Sequence, residues 1–137
     1  MKQLNRILEC SLYAGDLKKI EDFYTNIFGL KVISRQANRH VFFKVGDMVL
    51  LYFNPAETSI HLSEVGGSII PLHGAMGLGH IAFSVEEEEL GNWREVLLKN
   101  DIEIESEVNW KKGGKSIYFR DPSGNSIELA TPKLWDL

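Results

Sequence analysis

The sequence predicts an α+β fold in which two βαβββ modules form curved mixed sheets around a cavity, with the helices on the outer face. The first observation behind this prediction is an internal repeat, because the same order of apolar patterns occurs in 5–54 and again in 78–131. The second is composition, since 44% hydrophobic and 25% charged residues are typical of a globular domain with a buried core. We therefore expect a single domain over 1–137, with a connector at 55–77 between the modules.

The first module has one helix and four strands. An alternating strand over 7–13 is followed by Asp16, the predicted N-cap of a helix whose apolar residues recur at helical spacing through 17–28. Gly29 is expected to end this helix. Three strands rich in β-branched and aromatic residues follow at LKVISR, HVFFKV and MVLLYF.

The second module repeats this order. HIAFSV is predicted to be its first strand, the acidic run at 86–89 to be a solvated helix start, and Leu90, Trp93 and Leu97 to lie on the helix. The remaining strands are predicted at IEIESEV, SIYFR and SIELA. Gly113 and Gly114 are expected to form a turn between the strands IEIESEV and SIYFR, or a flexible lip over a pocket.

Charge and apolar run lengths exclude two classes of partner. The net charge of −4 lacks the basic excess that nucleic-acid binding requires, and no apolar run approaches the roughly 18 residues of a membrane span. The N-terminus has no signal-peptide apolar core, so we expect a cytoplasmic protein that binds neither nucleic acid nor membrane. The single cysteine, Cys10, excludes an intrachain disulfide and is expected to be a buried structural thiol.

Three residues with metal-ligand side chains share one sheet face in this scheme. Superposing the modules places Glu9 on His80 and Leu51 on Glu128. Strand alternation then puts Glu9, His80 and Glu128 on the face away from the helix of each module. A carboxylate in an apolar strand is costly unless it is paired, and a divalent cation bound by these residues would supply the pairing.

Three segments resemble a known family over nearly the whole chain: DLKKIEDFYTNIFGLKV, HGAMGLGHIAF and YFRDPSGNSIELATP. They are similar to the vicinal oxygen chelate superfamily, which groups glyoxalase I, extradiol dioxygenases, fosfomycin-resistance thiol transferases, epimerases and bleomycin-binding proteins. The resemblance implies that Glu9, His80 and Glu128 stand at the family's metal-ligand positions. A fourth position, a ligand or base in glyoxalase I, falls on Leu51, so this chain departs from the glyoxalase I pattern.

Strand alternation also predicts residues that bind the substrate. These candidates are mostly apolar or aromatic, as in pockets for small organic molecules: Phe42, Leu51, Phe53, Tyr118 and Arg120. His73, in the Gly-flanked connector, is either a donor to a bound substrate or an ordinary loop histidine. His40 and His61 have no partner by spacing, and we expect them to be structural.

The function that follows is a divalent-metal-dependent enzyme of lyase or isomerase type, which chelates a small oxygenated substrate through two neighbouring oxygens. Glu9 or Glu128 would be the catalytic base, and each site would hold one Zn, Ni, Mn, Fe or Co ion. Three alternatives stay open: a metal-free drug-binding protein of the bleomycin-resistance kind, an extradiol dioxygenase, and a thiol transferase for antibiotic resistance. The two carboxylates and one imidazole reverse the ligand count of oxygen-activating iron enzymes, which disfavours the dioxygenase.

The resemblance also implies a homodimer with shared metal sites. Small two-module members of the family commonly place the first-strand ligand of one subunit beside the fifth- and eighth-strand ligands of another. Two-fold symmetry is the commonest form of oligomer. Glu9 of one chain would then meet His80 and Glu128 of a second copy.

Overall fold

A computed structural model describes all 137 residues, which divide into two compact units, Met1–Met76 and Gly77–Leu137. The first unit contains a four-stranded sheet with one helix, then a short helix and a two-stranded hairpin. In chain order its elements are β1 (Glu9–Tyr13), α1 (Leu17–Asn26), β2 (Lys31–Gln36), β3 (His40–Val45), β4 (Met48–Phe53), α2 (Pro55–Thr58), β5 (Ser63–Val65) and β6 (Ser68–Ile70).

The sheet of the first unit has the strand order β1-β4-β3-β2. Strands β1 and β4 are parallel, and the other neighbours are antiparallel. Helix α1 begins at the predicted place, because the Asp16 carboxylate accepts a hydrogen bond of 3.1 Å from the backbone N–H of Lys19. Gly29, with φ at 65°, then takes the chain out of the helix in a conformation that favours glycine.

Aromatic side chains form the core between α1 and its sheet. The ring of Tyr24 packs on the rings of Phe43 and Tyr52, with centroids 5.3 and 5.5 Å away. The hydroxyls of Tyr24 and Tyr52 are hydrogen-bonded at 2.9 Å, so this buried pair satisfies its own polar atoms. The strand face that carries Phe43 and Tyr52 is therefore the face covered by α1.

The second unit repeats the topology of the first. Its elements are β7 (His80–Ser84), a 3-10 turn (Glu87–Glu89), α3 (Leu90–Lys99), β8 (Ser106–Asn109), β9 (Lys115–Arg120), β10 (Ser126–Ala130) and a 3-10 segment (Pro132–Trp135). The strand order β7-β10-β9-β8 matches that of the first sheet, with β7 and β10 parallel. Leu97 of α3 is buried, as are Phe119 and Ile127. The predicted α+β fold of two βαβββ modules is confirmed.

One local prediction was wrong in extent. The strand expected over 102–108 begins only at Ser106, because Ile102 still belongs to the turn that ends α3, and its N–H donates to the Leu97 carbonyl at 2.9 Å. Asp101 stands between them at φ 55°. The connector also contains α2 and the β5–β6 hairpin, which are too short for a periodic signal. No helix of the structure combines the length and the apolar character needed to cross a membrane.

Candidate functional site

His80 and Glu128 lie side by side on the second sheet, on the face away from α3. In the parallel pairing of β7 with β10, His80 is opposite Ser126 and Ala82 is opposite Glu128. Partners in this register point to the same side, so the imidazole and the carboxylate meet. His80 Nε2 is 3.3 Å from Glu128 Oε2. The structure thus brings these two predicted ligands together.

The backbone carbonyl of Ser126 determines which nitrogen of His80 carries the hydrogen. Nδ1 lies 3.1 Å from this carbonyl oxygen, which can only accept, so Nδ1 is the protonated nitrogen. In a neutral imidazole Nε2 then presents its lone pair to Glu128 Oε2. Two acceptors at this distance repel each other unless a proton or a cation lies between them. The donor set therefore fits a divalent cation, for which imidazole and carboxylate are ordinary ligands.

Glu128 is a buried carboxylate with a defined hydrogen-bonding environment. Glu128 is 6% exposed, and its Oε1 accepts a hydrogen bond of 2.5 Å from Ser116 Oγ. Tyr118, opposite Glu128 in the pairing of β9 with β10, has a pKa above its usual range because of burial and of hydrogen bonding to the Glu128 carboxylate. Tyr118 is therefore a neutral phenol at physiological pH and acts as a hydrogen-bond donor.

A cavity of about 490 Å³ opens beside this pair within the second unit. Its wall combines aromatic rings, small residues and a few charged groups: His80, Ala82, Trp110, Lys112, Tyr118, Glu128, Ala130, Leu134, Trp135 and Asp136. Such a wall suits a small organic ligand with a few polar atoms. The predicted residues in this wall are His80, Tyr118 and Glu128.

Glu9, the third predicted ligand, is an exposed residue of the first unit. It is the first residue of β1, as His80 is of β7, and Ser11 pairs with Leu51 as Ala82 pairs with Glu128. The equivalence of Glu9 with His80 is therefore present in the strand registers. Neither unit by itself brings together three histidine, cysteine, aspartate or glutamate side chains.

The first unit is aromatic where the second unit is polar. Leu51, the equivalent of Glu128, is 6% exposed, and its neighbour Phe42 is the equivalent of Tyr118. Phe42 packs edge-on against Phe53 at 5.1 Å between ring centroids, and Phe53 packs against His73 at 4.5 Å. His73 Nδ1 is also hydrogen-bonded to the hydroxyl of Tyr13 at 2.8 Å. The structure thus brings the predicted residues Phe42, Phe53 and His73 into one cluster.

Arg120 lies outside the wall of the second-unit cavity. Its guanidinium donates two hydrogen bonds to the Glu105 carboxylate, at 2.6 and 2.7 Å, and a third to the Gly124 carbonyl at 3.2 Å. The basic residue in the cavity wall is instead Lys112, from the turn between β8 and β9.

Sequence reasoning missed several residues that surround the His80–Glu128 pair or the aromatic cluster of the first unit. Ser116 faces the same side as Glu128, because it pairs with Ala130, and strand alternation was a signal that could have found it. Trp110, Lys112 and the C-terminal residues of the wall lie in a turn and a 3-10 segment, where no periodicity indicates direction. His40, assigned a structural role, stacks on Phe42 at 4.0 Å.

A second groove, of about 470 Å³, lies beside the start of α1. Its charged side chains pair with each other or with neighbours on the same helix. Arg35 is 2.6 Å from Glu21, and Lys18 is bonded to Asp22. Its charges are therefore already engaged by protein groups of opposite sign.

The family model of the Glyoxalase/Bleomycin resistance protein/Dioxygenase superfamily matches residues 5–129. This chain belongs to that superfamily. The resemblance found in the sequence is confirmed, and the two-module fold is the one that its solved relatives share. The match spans both modules, including the positions of Glu9, His80 and Glu128.

Relatives within the superfamily carry two activities in their names. The metallothiol transferase FosB of Staphylococcus saprophyticus is 30% identical over 123 residues, which cover 89% of this chain and 74% of that protein. The lactoylglutathione lyase of Escherichia coli O157:H7 is 27% identical over 130 residues, covering 93% of both. The chain is thus similar to enzymes of two reaction classes.

Solved structures give the same picture. The crystal structure of lactoylglutathione lyase from Agrobacterium tumefaciens has a TM-score of 0.91 and 38% identity, covering 99% of this chain and 100% of that one. A FosX fosfomycin resistance protein variant from Listeria monocytogenes, complexed with Mn(II) and a dihydroxypropylphosphonic acid, has a TM-score of 0.67 and 23% identity, covering 93% and 90%. The second likeness supports the fold.

Proposed function

We propose that this protein is a divalent-metal-dependent enzyme of lyase or isomerase type that acts on a small oxygenated substrate. The observation that carries the proposal is the His80–Glu128 pair, whose facing lone pairs at 3.3 Å are matched to a cation at the wall of a cavity. Glu9 is the proposed third ligand. Zn, Ni, Mn, Fe and Co all accept this combination of imidazole and carboxylate, and the Mn(II) in the FosX structure supports a metal in this fold.

The ion would supply Lewis acidity to two neighbouring substrate oxygens. The protein's own groups would do the rest. The neutral phenol of Tyr118 would donate its hydrogen to the Glu128 carboxylate, and Trp110 and Trp135 would line the cavity beside it. Glu128 or Glu9 would accept the proton removed from the carbon next to the chelating oxygens and return it to the neighbouring atom.

Similarity to lactoylglutathione lyase supports isomerisation as the reaction class, with 38% identity to the Agrobacterium tumefaciens structure. Leu51 stands where the glyoxalase I pattern has a ligand or base. The proton transfer therefore falls to the two remaining carboxylates, Glu9 and Glu128. We further propose that the enzyme is a cytoplasmic homodimer, with Glu9 of one chain completing the site of another.

A calorimetric titration with Mn²⁺ and with Zn²⁺ tests the metal site. His80→Ala and Glu128→Ala are each expected to weaken binding by more than about 100-fold, because loss of a direct ligand costs more than loss of an outer-shell partner. His61→Ala, which changes an exposed connector histidine, is the matched control and should bind as the wild type does. Equal affinity in wild type, His80→Ala and Glu128→Ala would contradict the proposal.

Thiol transfer is the second candidate, and the similarity to FosB over 89% of the chain favours it. An anionic antibiotic would need a cation in the cavity, and Lys112 is the basic residue in the wall. Cells that express this protein would then survive fosfomycin, and Lys112→Ala would lower that survival. Turnover of a hemithioacetal without any protection from fosfomycin would assign the isomerase reaction instead.

A further inference from the structure

We propose that Ser116 and Trp110 are positioning residues that hold the Glu128 carboxylate with one oxygen directed toward His80. Neither residue was among the predicted metal ligands or substrate-binding residues. The inference rests on the proposed function, since Glu128 must bind the metal for its orientation to matter.

The direction of each hydrogen bond in this cluster follows from its chemistry. The indole Nε1–H of Trp110 can only donate, and it lies 2.8 Å from Ser116 Oγ. The Ser116 hydroxyl thus uses an acceptor site for the indole and keeps its single hydrogen for another group. That group is Glu128 Oε1, at 2.5 Å. Tyr118 touches both Ser116 and Glu128, but an ionised carboxylate is the stronger acceptor for the serine hydrogen.

The hydrogen-bond relay from Trp110 through Ser116 to Glu128 distinguishes the two oxygens of the carboxylate. Oε1 is engaged by Ser116, whereas Oε2 lies 3.3 Å from His80 Nε2. Rotation of the carboxylate would break a short, charge-assisted hydrogen bond between residues that are 1% and 6% exposed. Oε2 is therefore the oxygen presented to a cation, and Glu128 is prepared to bind through one oxygen.

The tryptophan end of the relay is anchored by the turn between β8 and β9. The backbone N–H of Trp110 donates to the Gly114 carbonyl at 3.0 Å, and the backbone N–H of Gly113 donates to the Trp110 carbonyl at 2.9 Å. Gly114 has φ at 90°, and a Cβ there would lie 2.7 Å from the backbone nitrogen of Leu134. The turn that carries Trp110 thus packs closely on the C-terminal segment, which fixes the backbone from which the indole reaches Ser116.

Titration of the full chain with Co²⁺ alone tests the proposal, with calorimetry for affinity and visible absorption for the ligand geometry. Ser116→Ala is expected to lower Co²⁺ affinity by about 10- to 100-fold, as other outer-shell partners do, and to change the cobalt absorption bands. Ser116→Thr keeps the hydroxyl and should restore most of the affinity. A merely structural role of Ser116 would change thermal stability without changing the spectrum of the bound ion.

Trp110→Phe removes the donor to Ser116 and is expected to weaken Co²⁺ binding several-fold. The double variant Ser116→Ala/Trp110→Phe should bind no more weakly than Ser116→Ala, because Trp110 acts through the hydroxyl. Trp93→Phe, which alters the tryptophan of α3 outside the cavity wall, is the matched control and should keep wild-type affinity. If Ser116→Ala does not fold, the comparison of Trp110→Phe with Trp93→Phe decides.

Wild-type affinity and spectrum in Ser116→Ala or in Trp110→Phe would overturn the relay, as would additive losses in the double variant. Glu128→Gln separates this failure from failure of the proposed function. If Glu128→Gln loses Co²⁺ but the relay variants do not, only the positioning role is overturned. If the wild type binds no Co²⁺, or Glu128→Gln binds it equally well, both proposals are overturned.

Discussion

Single residues at equivalent positions of the two sheets have opposite chemical character. Where the second sheet has Glu128 and Tyr118, the first has Leu51 and Phe42, in the same strand registers. A carboxylate at position 51 would face Phe42 in place of the tyrosine that lies opposite Glu128. The first sheet therefore contributes an apolar, aromatic face, and the polar chemistry is concentrated on the second sheet.

His40 on that aromatic face gives a pH-dependent prediction. Burial, and then the charge of Arg39, lower the pKa of His40 below the usual 6.5. As pH falls through 6.5, the unfolded chain gains a proton that the folded protein resists, so this residue reduces stability on acidification and has no such effect above that pH. Proton NMR should show His40 titrating below the usual 6.5, and His40→Gln should lose less stability than wild type between neutral and acidic pH. A His40 midpoint at or above 6.5 would contradict this.

At the scale of elements, the turn between β9 and β10 is built from two buried polar residues. Asp121 Oδ1 accepts hydrogen bonds of 2.9 Å from the backbone N–H groups of Ser123 and Asn125. Asn125 Nδ2 donates to Asp121 Oδ2 at 2.9 Å, and Asn125 Oδ1 accepts from the Gly79 N–H at 2.8 Å. The turn before β10 thus binds the backbone of Gly79, the residue before His80. This hydrogen bond fixes where β7 and β10, the strands that carry His80 and Glu128, begin.

Asn125→Ala is expected to destabilise the protein by about 2–4 kcal/mol. The change removes the acceptor of the Gly79 N–H and a donor to Asp121 at a site that is 2% exposed. Chemical denaturation measures the loss, and Ser123→Ala, an exposed residue of the same turn, should stay within about 0.5 kcal/mol of the wild type. A loss for Asn125→Ala as small as that of Ser123→Ala would show that the buried turn contributes little.

At the scale of the whole molecule, the proposed homodimer explains why an exposed carboxylate begins β1. Each unit covers one sheet face with its helix and leaves the other face for a second module. Glu9 begins β1 in the first unit, and the His80–Glu128 pair lies in the second unit. A shared site would pair Glu9 of one chain with the other two residues of another, and the metal would stabilise a charge that lacks a partner on its own strand.

Mixed refolding of two defective variants tests the shared site. Glu9→Ala and His80→Ala are unfolded together and refolded as a mixture. In a shared arrangement, each heterodimer combines one intact Glu9 with one intact His80 and regains one high-affinity metal site, so about half of the chains in a statistical mixture sit in restored pairs. Calorimetry on the isolated heterodimer measures the recovery. Each variant refolded alone is the control, and a verified heterodimer without recovered binding would rule out sharing between chains.

The sequence by itself determined the two modules, most strand bounds and the pairing of His80 with Glu128. These depend on local rules, because strand alternation and a repeated pattern set the face of each side chain before any distant contact forms. Only the tertiary structure decided what each side chain meets. Arg120 is held by Glu105, Trp110 reaches Ser116 from a glycine turn, and the strand predicted from Ile102 begins later. Such contacts depend on turn geometry and on partners from other elements, and neither of these produces a periodic pattern in the sequence.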